Sequence, residues 1–107
     1  MKICITSSGD SLASNLDPRF GRCHYFIIYD TDSNTFVAIA NPNADAACGA
    51  GIQSAQLVVS KGAAKVITGE VGPKAKKVLQ TANIDIITGI SETVLVKNAI
   101  ESMLAKQ

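Results

Sequence analysis

The segment from 17 to 26, DPRFGRCHYF, concentrates side chains that bind anions and metals. Arg19 and Arg22 each carry a guanidinium whose fork of N–H donors suits oxyanions. Cys23 and His24 follow directly, and both are soft ligands that suit iron–sulfur, copper or zinc centres. The segment therefore predicts an anion site or a metal site at the start of an apolar stretch.

Two glycine-containing segments, CGAG at 48–51 and GEVG at 69–72, each lead into a predicted helix. The first N–H groups of a helix have no partner within it, and the helix dipole favours negative charge there. Turns and helix caps also require glycine, so part of the pattern is expected to serve geometry alone. The residues predicted here to contact an anion are Gly49, Ala50, Gly51 and Gly72.

Cys48 is the third soft ligand, so the metal-ligating candidates are Cys23, His24 and Cys48. In a regular strand Cys23 and His24 would point to opposite faces, and they converge only where the chain is irregular. Each cysteine can equally be a small buried core residue, as we expect for Cys4 in its apolar strand. Two Cys and one His fall short of a four-ligand structural zinc site.

Hydrophobic patterning predicts the elements that position these residues. Two β-rich runs, 25–30 and 35–40, are separated by four residues and predict an antiparallel hairpin. Apolar residues at helical spacing predict helices that start near Gly51 and Pro73, with Gly62 ending the first. Further strands are predicted at 3–5, 65–68 and 84–88, and a last helix, capped by Ser91, has an inward stripe of Val96, Ala99, Ile100 and Met103.

The element order β-β-β-α-β-α-β-α predicts a three-layer α/β/α fold around a mixed five-stranded sheet with strand two reversed. The carboxyl ends of the other strands and the start of strand two then share one end of the sheet. Ligands of open α/β sheets bind at that end. A structureless loop over 7–24 is expected there and is more often functional than not, although a solvated loop is the alternative. The other loops at this end are 41–50, 69–72 and 89–91.

Composition narrows the function classes. The chain has 107 residues, and we expect one domain over 1–107. A net charge of +1 argues against nucleic-acid binding, and we interpret Lys74, Lys76 and Lys77 as a solvated helix face. No apolar run reaches the length of a membrane span or a signal peptide, so a cytoplasmic protein without membrane contact is expected. Neither a hydrolytic triad nor a phosphate-binding GxxxxGK[ST] motif is present, so no catalytic residue is predicted.

The same segments carry a family resemblance. The opening KICITSSGD, the DPRFGRCHYFIIYD segment, the CGAGI helix start and VITGEVGPKAKKVL together resemble the dinitrogenase iron–molybdenum cofactor biosynthesis family, the small NifX-like domains. The resemblance implies a ribonuclease H-like motif with sheet order 3-2-1-4-5. It also implies a carrier for an anionic iron–sulfur or molybdenum-containing cluster. Ser8 in the opening segment joins Arg19 and Arg22 among the cofactor-binding candidates. Cys23 stands where the family pattern has a small residue.

We therefore predict a non-enzymatic metallocluster-binding protein that is monomeric and exchanges its cluster with donor and acceptor proteins. One alternative is a protein-interaction module in metal-cofactor assembly, because the loop-bearing end lacks strong ligands. The other is a small enzyme that acts on a phosphorylated ligand, because both glycine-lined helix starts suit a phosphate.

Overall fold

One mixed sheet carries helices on both faces in the computed structural model, which describes residues 1–46 and 48–105. The strands are β1 (Lys2–Ser7), β2 (Tyr25–Asp30), β3 (Thr35–Ala40), β4 (Ala63–Ile67) and β5 (Asp85–Ile87). The helices are α1 (Ala50–Ser60), α2 (Pro73–Thr81) and α3 (Val96–Ala105). Ala47, within the predicted loop 41–50, and residues 106–107 of the predicted domain lie outside the described residues.

The sheet order is β3-β2-β1-β4-β5, as the resemblance implied. β2 runs antiparallel to both β1 and β3, while β1, β4 and β5 are parallel to one another. The predicted five-stranded α/β fold with a reversed second strand is therefore confirmed. As a consequence, the carboxyl ends of β1, β3, β4 and β5 and the start of β2 lie together, at what we call the carboxyl end of the sheet.

The central strand β1 is buried on both faces, which explains its continuously apolar run, whereas the edge strand β3 is mostly exposed. In β1, Ile3 and Ile5 belong to the core cluster beneath α3, whereas Cys4 belongs to the cluster beneath α1 and α2. Cys4 is thus the core residue that its apolar strand predicted. The predicted inward stripe of α3 is confirmed, because Val96, Ala99, Ile100 and Met103 are all buried.

The helices are short, with 11 residues in α1, 9 in α2 and 10 in α3. None of them, within the part of the chain that the structure describes, is long and apolar enough to cross a membrane. Gly62 lies just past the end of α1 with a φ of 75°, so the predicted helix stop is confirmed. Positive φ is accessible to glycine without strain.

The prediction that Ser91 caps the last helix is wrong. Ser91 instead accepts hydrogen bonds within a turn, from the Val94 N–H to its carbonyl (3.1 Å) and from the Thr93 N–H to its hydroxyl (3.2 Å). α3 begins at Val96, whose N–H donates to the Ser14 carbonyl at 2.9 Å. A distant backbone carbonyl therefore takes the place of a side-chain cap, and one sequence window cannot reveal such a partner.

After β1 ends at Ser7, the loop up to residue 24 forms no helix or strand, as predicted, but it is not the solvated loop that was the alternative. The Leu16 N–H donates to the Val94 carbonyl at 2.8 Å, and the Asp17 N–H donates to Thr6 at 3.0 Å. Isolated bridges join Leu16 to Ser7 of β1, Asn15 to Leu95 and Arg19 to Glu70. These backbone hydrogen bonds with distant segments order the loop, so the side chains that follow Asp17 occupy defined positions.

Candidate functional site

A cavity of about 580 Å³ opens at the carboxyl end of the sheet, between the segment that follows Asp17 and the first turns of α1 and α2. We call it the carboxyl-end cavity. Six residues predicted to bind a cofactor line it: Arg19, Arg22, Gly49, Ala50, Gly51 and Gly72. The others are Phe20, Ile52, Glu70, Pro73, Lys74 and Ala75. The topology therefore brings together residues that are far apart in the sequence.

Backbone pairing fixes one wall of the cavity. The Phe20 N–H donates to the Glu70 carbonyl at 3.1 Å, and the Glu70 N–H donates to the Pro18 carbonyl at 2.7 Å. Gly69 makes this approach possible, because a Cβ there would lie 2.5 Å from the Pro18 Cβ. A contact that short does not occur between real side chains, so the close pairing requires glycine at this position.

Gly21 joins the arginine segment to α1. Its φ is 97°, and a Cβ on Gly21 would lie 3.0 Å from the Gly51 Cα. The Gly21 carbonyl accepts from the buried Asn41 side-chain amide at 3.0 Å and from the Ser54 hydroxyl at 3.2 Å. Asn41 and Ser54 were not predicted. The signal available in the sequence was an Asn directly after β3, at the carboxyl end of the sheet.

The first turns of α1 and α2 present free backbone donors to the cavity. The residue before α1 is Gly49, with a φ of 75°, and the residue before α2 is Gly72. Within the described part of the chain, no side chain forms a capping hydrogen bond with either helix. The first-turn N–H groups of Ala50 and Gly51 have no hydrogen-bond acceptor among residues 1–46 and 48–105. Such donors, together with the helix dipole, favour an anion.

Asp17 holds Arg19 in place and was not predicted as a site residue. Its carboxylate is buried and accepts from the Arg19 backbone N–H (3.1 Å), Nε (3.3 Å) and Nη2 (3.4 Å). The hydrogen bonds that this carboxylate accepts from Arg19, followed by its negative charge, raise the pKa of the Arg19 guanidinium. Asp17 Oδ2, which accepts from Arg19 Nη2, also lies 3.5 Å from His24 Nδ1. In many turns an Asp side chain accepts a hydrogen bond from the backbone N–H two residues later. The spacing of Asp17 and Arg19 was therefore the signal available in the sequence.

The three metal-ligating candidates occupy different surroundings. Cys23 is fully buried in the core, and burial, reinforced by the Asp17 charge, raises the pKa of its thiol to about 12. It is the core residue that the sequence left open as an alternative. Cys48 is exposed beside Gly49, and His24 is exposed beside Asp17. Among residues 1–46 and 48–105, no group of three or more His, Cys, Asp or Glu side chains could hold a metal ion.

Ser8 and Arg22 are two further residues that were predicted to bind a cofactor. Ser8 is exposed, its hydroxyl donates to the Asn15 carbonyl at 3.0 Å, and it does not line the carboxyl-end cavity. Arg22 does line the cavity and also donates to the Ala44 carbonyl at 3.2 Å. Arg19, Arg22, Lys74 and the starts of two helices line the cavity together with the carboxylate of Glu70, and the carboxylate of Asp17 pairs with Arg19. These donors give a small α/β fold a cavity whose chemistry suits an anion.

Comparison with known proteins identifies the family. Residues 1–106 match the family model described as dinitrogenase iron-molybdenum cofactor. The chain belongs to this family. An uncharacterized protein of Methanocaldococcus jannaschii is 32% identical over 76 residues, which cover 68% of this chain and 64% of that protein. The chain thus spans less than two thirds of that relative's length.

Solved structures share the fold over nearly the whole chain. The apo form of the orange protein (ORP) from Desulfovibrio gigas has a TM-score of 0.93 and 34% identity, covering 99% of this chain and 88% of that one. A Thermotoga protein described as belonging to the DUF35 family has a TM-score of 0.83 and 35% identity, with coverages of 97% and 87%. These likenesses agree with the family assignment.

Proposed function

We propose that this protein binds an anionic iron–sulfur or molybdenum-containing cluster in the carboxyl-end cavity and carries it between proteins without a catalytic step. The observation that carries this proposal is the convergence of two uncapped helix N-termini with Arg19 and Arg22 on one cavity. Membership of a family named for the iron–molybdenum cofactor supports the choice of a metal cluster over other anions.

The cavity suits a polyatomic anion held by hydrogen bonds and charge. The sulfur and oxygen atoms of a cluster accept hydrogen bonds, and the backbone N–H groups of Ala50 and Gly51 are donors of fixed direction without an acceptor among the described residues. Because Asp17 orients Arg19 in advance, little side-chain entropy is lost when an anion arrives. Recognition of this kind holds a preformed cluster and also allows its release, as a carrier requires.

Soft ligands have a secondary part in this proposal. Cys48 is exposed and directly precedes Gly49, so its thiol is the best-placed metal ligand of the three candidates. His24 is exposed but paired with Asp17, and we assign it a contact at the border of the site. Cys23 receives no ligand role, because a buried thiol with a raised pKa stays protonated.

The proposed setting follows from the cargo. A carrier exchanges its cluster with a donor protein and an acceptor protein, and we propose that it does so as a monomer. We place it in the cytoplasm, where thiols such as Cys4, Cys23 and Cys48, all free in the structure, remain reduced.

Anaerobic reconstitution tests the proposal. The protein is incubated with iron, sulfide and molybdate, desalted, and examined by metal analysis and visible absorption. We expect a coloured protein that contains metal, and we expect Arg19→Gln with Arg22→Gln to weaken retention about tenfold. The matched control is Lys2→Gln with Lys97→Gln, two exposed cations outside the cavity. A folded, colourless, metal-free wild-type protein would contradict the proposal.

A parallel titration separates a cluster from a phosphorylated ligand. Molybdate, tetrathiomolybdate and inorganic phosphate are each titrated against the wild-type protein and the double arginine variant. We expect tetrathiomolybdate to bind most tightly. Glu70 is the carboxylate in the cavity lining, so it is the candidate acid–base group if the ligand is a phosphate ester. Saturable hydrolysis of phosphate esters would support the enzyme alternative instead.

A further inference from the structure

The charged side chains within α1 and α2 are three lysines, all of them on α2. Neither helix contains an Asp or Glu, although the chain as a whole has nine acidic and ten basic residues. Lys74, Lys76 and Lys77 of α2 are exposed, and within residues 1–46 and 48–105 none of the three forms an ion pair. α3, on the opposite face, carries one Lys and one Glu. The charge is therefore segregated on a protein that is nearly neutral.

A groove runs along this charged face next to the carboxyl-end cavity. It encloses about 450 Å³ and is lined by Ile52, Lys74, Lys77, Val78 and Thr81. Ile52 and Lys74 line the carboxyl-end cavity as well, so the groove adjoins the proposed cluster site. A molecule bound in the groove would sit beside the cluster that enters or leaves.

The composition of the groove favours a protein partner over a nucleic acid. Ile52 and Val78 are half-buried and form an apolar floor between exposed lysines. An apolar centre with a charged border is typical of protein interfaces. Binding of single-stranded nucleic acid relies on aromatic side chains that stack on bases, and neither α1 nor α2 contains one.

We propose that the α1–α2 face is the docking surface for an acidic, amphipathic segment of the protein that delivers or receives the cluster. The segment's carboxylates would pair with Lys74 and Lys77, and its apolar side chains would cover Ile52 and Val78. Charge complementarity of this kind speeds association and orients the partner. The inference rests on the proposed function, since the partner is identified by the cluster that it exchanges.

Titration with a defined peptide tests the docking surface. The probe is a synthetic amphipathic helical peptide with glutamates on one face and leucines on the other, and binding is followed by calorimetry at low and high salt. Lys77→Glu is expected to weaken binding about tenfold at low salt, and Lys77→Gln less. The matched control, Lys97→Glu on α3, is expected to change it less than about twofold.

Further readouts keep this test separate from that of the proposed function. Lys77 does not line the carboxyl-end cavity, so both charge-reversal variants should fold and retain metal like the wild type. If neither the wild type nor any variant takes up a cluster, but Lys77→Glu weakens peptide binding and Lys97→Glu does not, the docking surface stands and the proposed cargo fails. Equal losses in Lys77→Glu and Lys97→Glu overturn the docking surface. The docking surface is also overturned if a single-stranded oligonucleotide of equal charge binds more tightly than the peptide. It is overturned as well if sedimentation shows that the protein self-associates and so covers this face.

Discussion

The carboxyl-end cavity and a smaller cavity beside α3, which we call the α3 cavity, are lined by different chemical groups. The α3 cavity encloses about 290 Å³ and is lined mainly by apolar side chains of β4, β5, α3 and the segment between β5 and α3, together with Lys65, Asn98 and Ser102. The carboxyl-end cavity instead presents backbone N–H groups and guanidinium groups. One cavity lies between the packed faces of elements, and the other lies where elements begin.

The difference follows from how each element uses its backbone. Within a strand or helix the N–H and C=O groups are paired, so only side chains face a cavity there. At the first turn of a helix the N–H groups are unpaired and face outward. A short chain can therefore build a polar binding site at the ends of its elements without placing polar side chains in its core. Four predictions test this division between a packing region and a binding region.

The largest expected effect lies at the α3 cavity. Ile67→Ala removes a side chain that is 1% exposed, and we expect the free energy of unfolding to fall by about 3 kcal/mol in urea denaturation. Anion binding should be unchanged. Val37→Ala on β3, where Val37 is 62% exposed, is the control and should stay within about 0.5 kcal/mol. If the Ile67→Ala variant folds but no longer binds the anion, the result would contradict the division between a packing region and a binding region.

Gly69 lies at the wall of the carboxyl-end cavity where the Pro18 segment pairs with Glu70. A Cβ at Gly69 would approach Pro18 Cα and the Pro18 carbonyl oxygen at 2.7 Å, so Gly69→Ala should destabilise the protein by about 2 kcal/mol. The control is Gly72→Ala, because a Cβ there meets nothing within 4 Å and the φ of Gly72 is −65°. Thermal and urea unfolding measure both variants, and equal stabilities would show that the Pro18 segment relaxes freely.

Alkaline pH tests the packing of Cys23. Its pKa is about 12 in the folded protein and 9.0 without burial, so its contribution is fully present below pH 9 and is lost as the pH rises toward 12. Between pH 8 and about pH 10.5 the thiol should account for about 2 kcal/mol of lost stability. Cys23→Ala should therefore lose less stability over this interval than the wild type, and Cys48→Ala should behave like the wild type. Identical pH profiles for all three would contradict the assignment of Cys23 to the core.

The smallest effect concerns Asp17. Asp17→Asn keeps the shape of a buried side chain but removes the charge that pairs with Arg19, and we expect a loss of about 1 kcal/mol in unfolding free energy. The affinity for tetrathiomolybdate should fall more clearly, by about fivefold, because the guanidinium is no longer held toward the cavity. Isothermal titration measures the affinity. Unchanged affinity with reduced stability would make Asp17 a purely structural residue.

Local patterns predicted most of the fold. The runs YFIIYD and TFVAIA gave strands whose bounds match β2 and β3, because a β-rich run interrupted by turn residues leaves few other structures. Pro73 opens α2 as expected. The Ser91 cap failed because the carbonyl that accepts from Val96 comes from Ser14, on a segment remote in the sequence.

The candidate site was predictable in part, for a related reason. The topology alone implied that Arg19, Gly49 and Gly72 share one end of the sheet, and they line one cavity. It did not imply that Asp17 is buried and pairs with Arg19 and His24. Nor did it decide between the two states of Cys23, because adjacent positions differ in burial according to how an irregular segment turns.

By itself the sequence determined the strand and helix pattern, the reversed second strand and the end of the sheet at which the glycines and arginines meet. Periodicity and turn chemistry are short-range properties, so the chain specifies them locally. Only the tertiary structure decided which thiol is buried, which carboxylate holds Arg19 and which helix starts remain uncapped. These outcomes depend on hydrogen bonds and burial between segments far apart in the chain, and no local pattern encodes them.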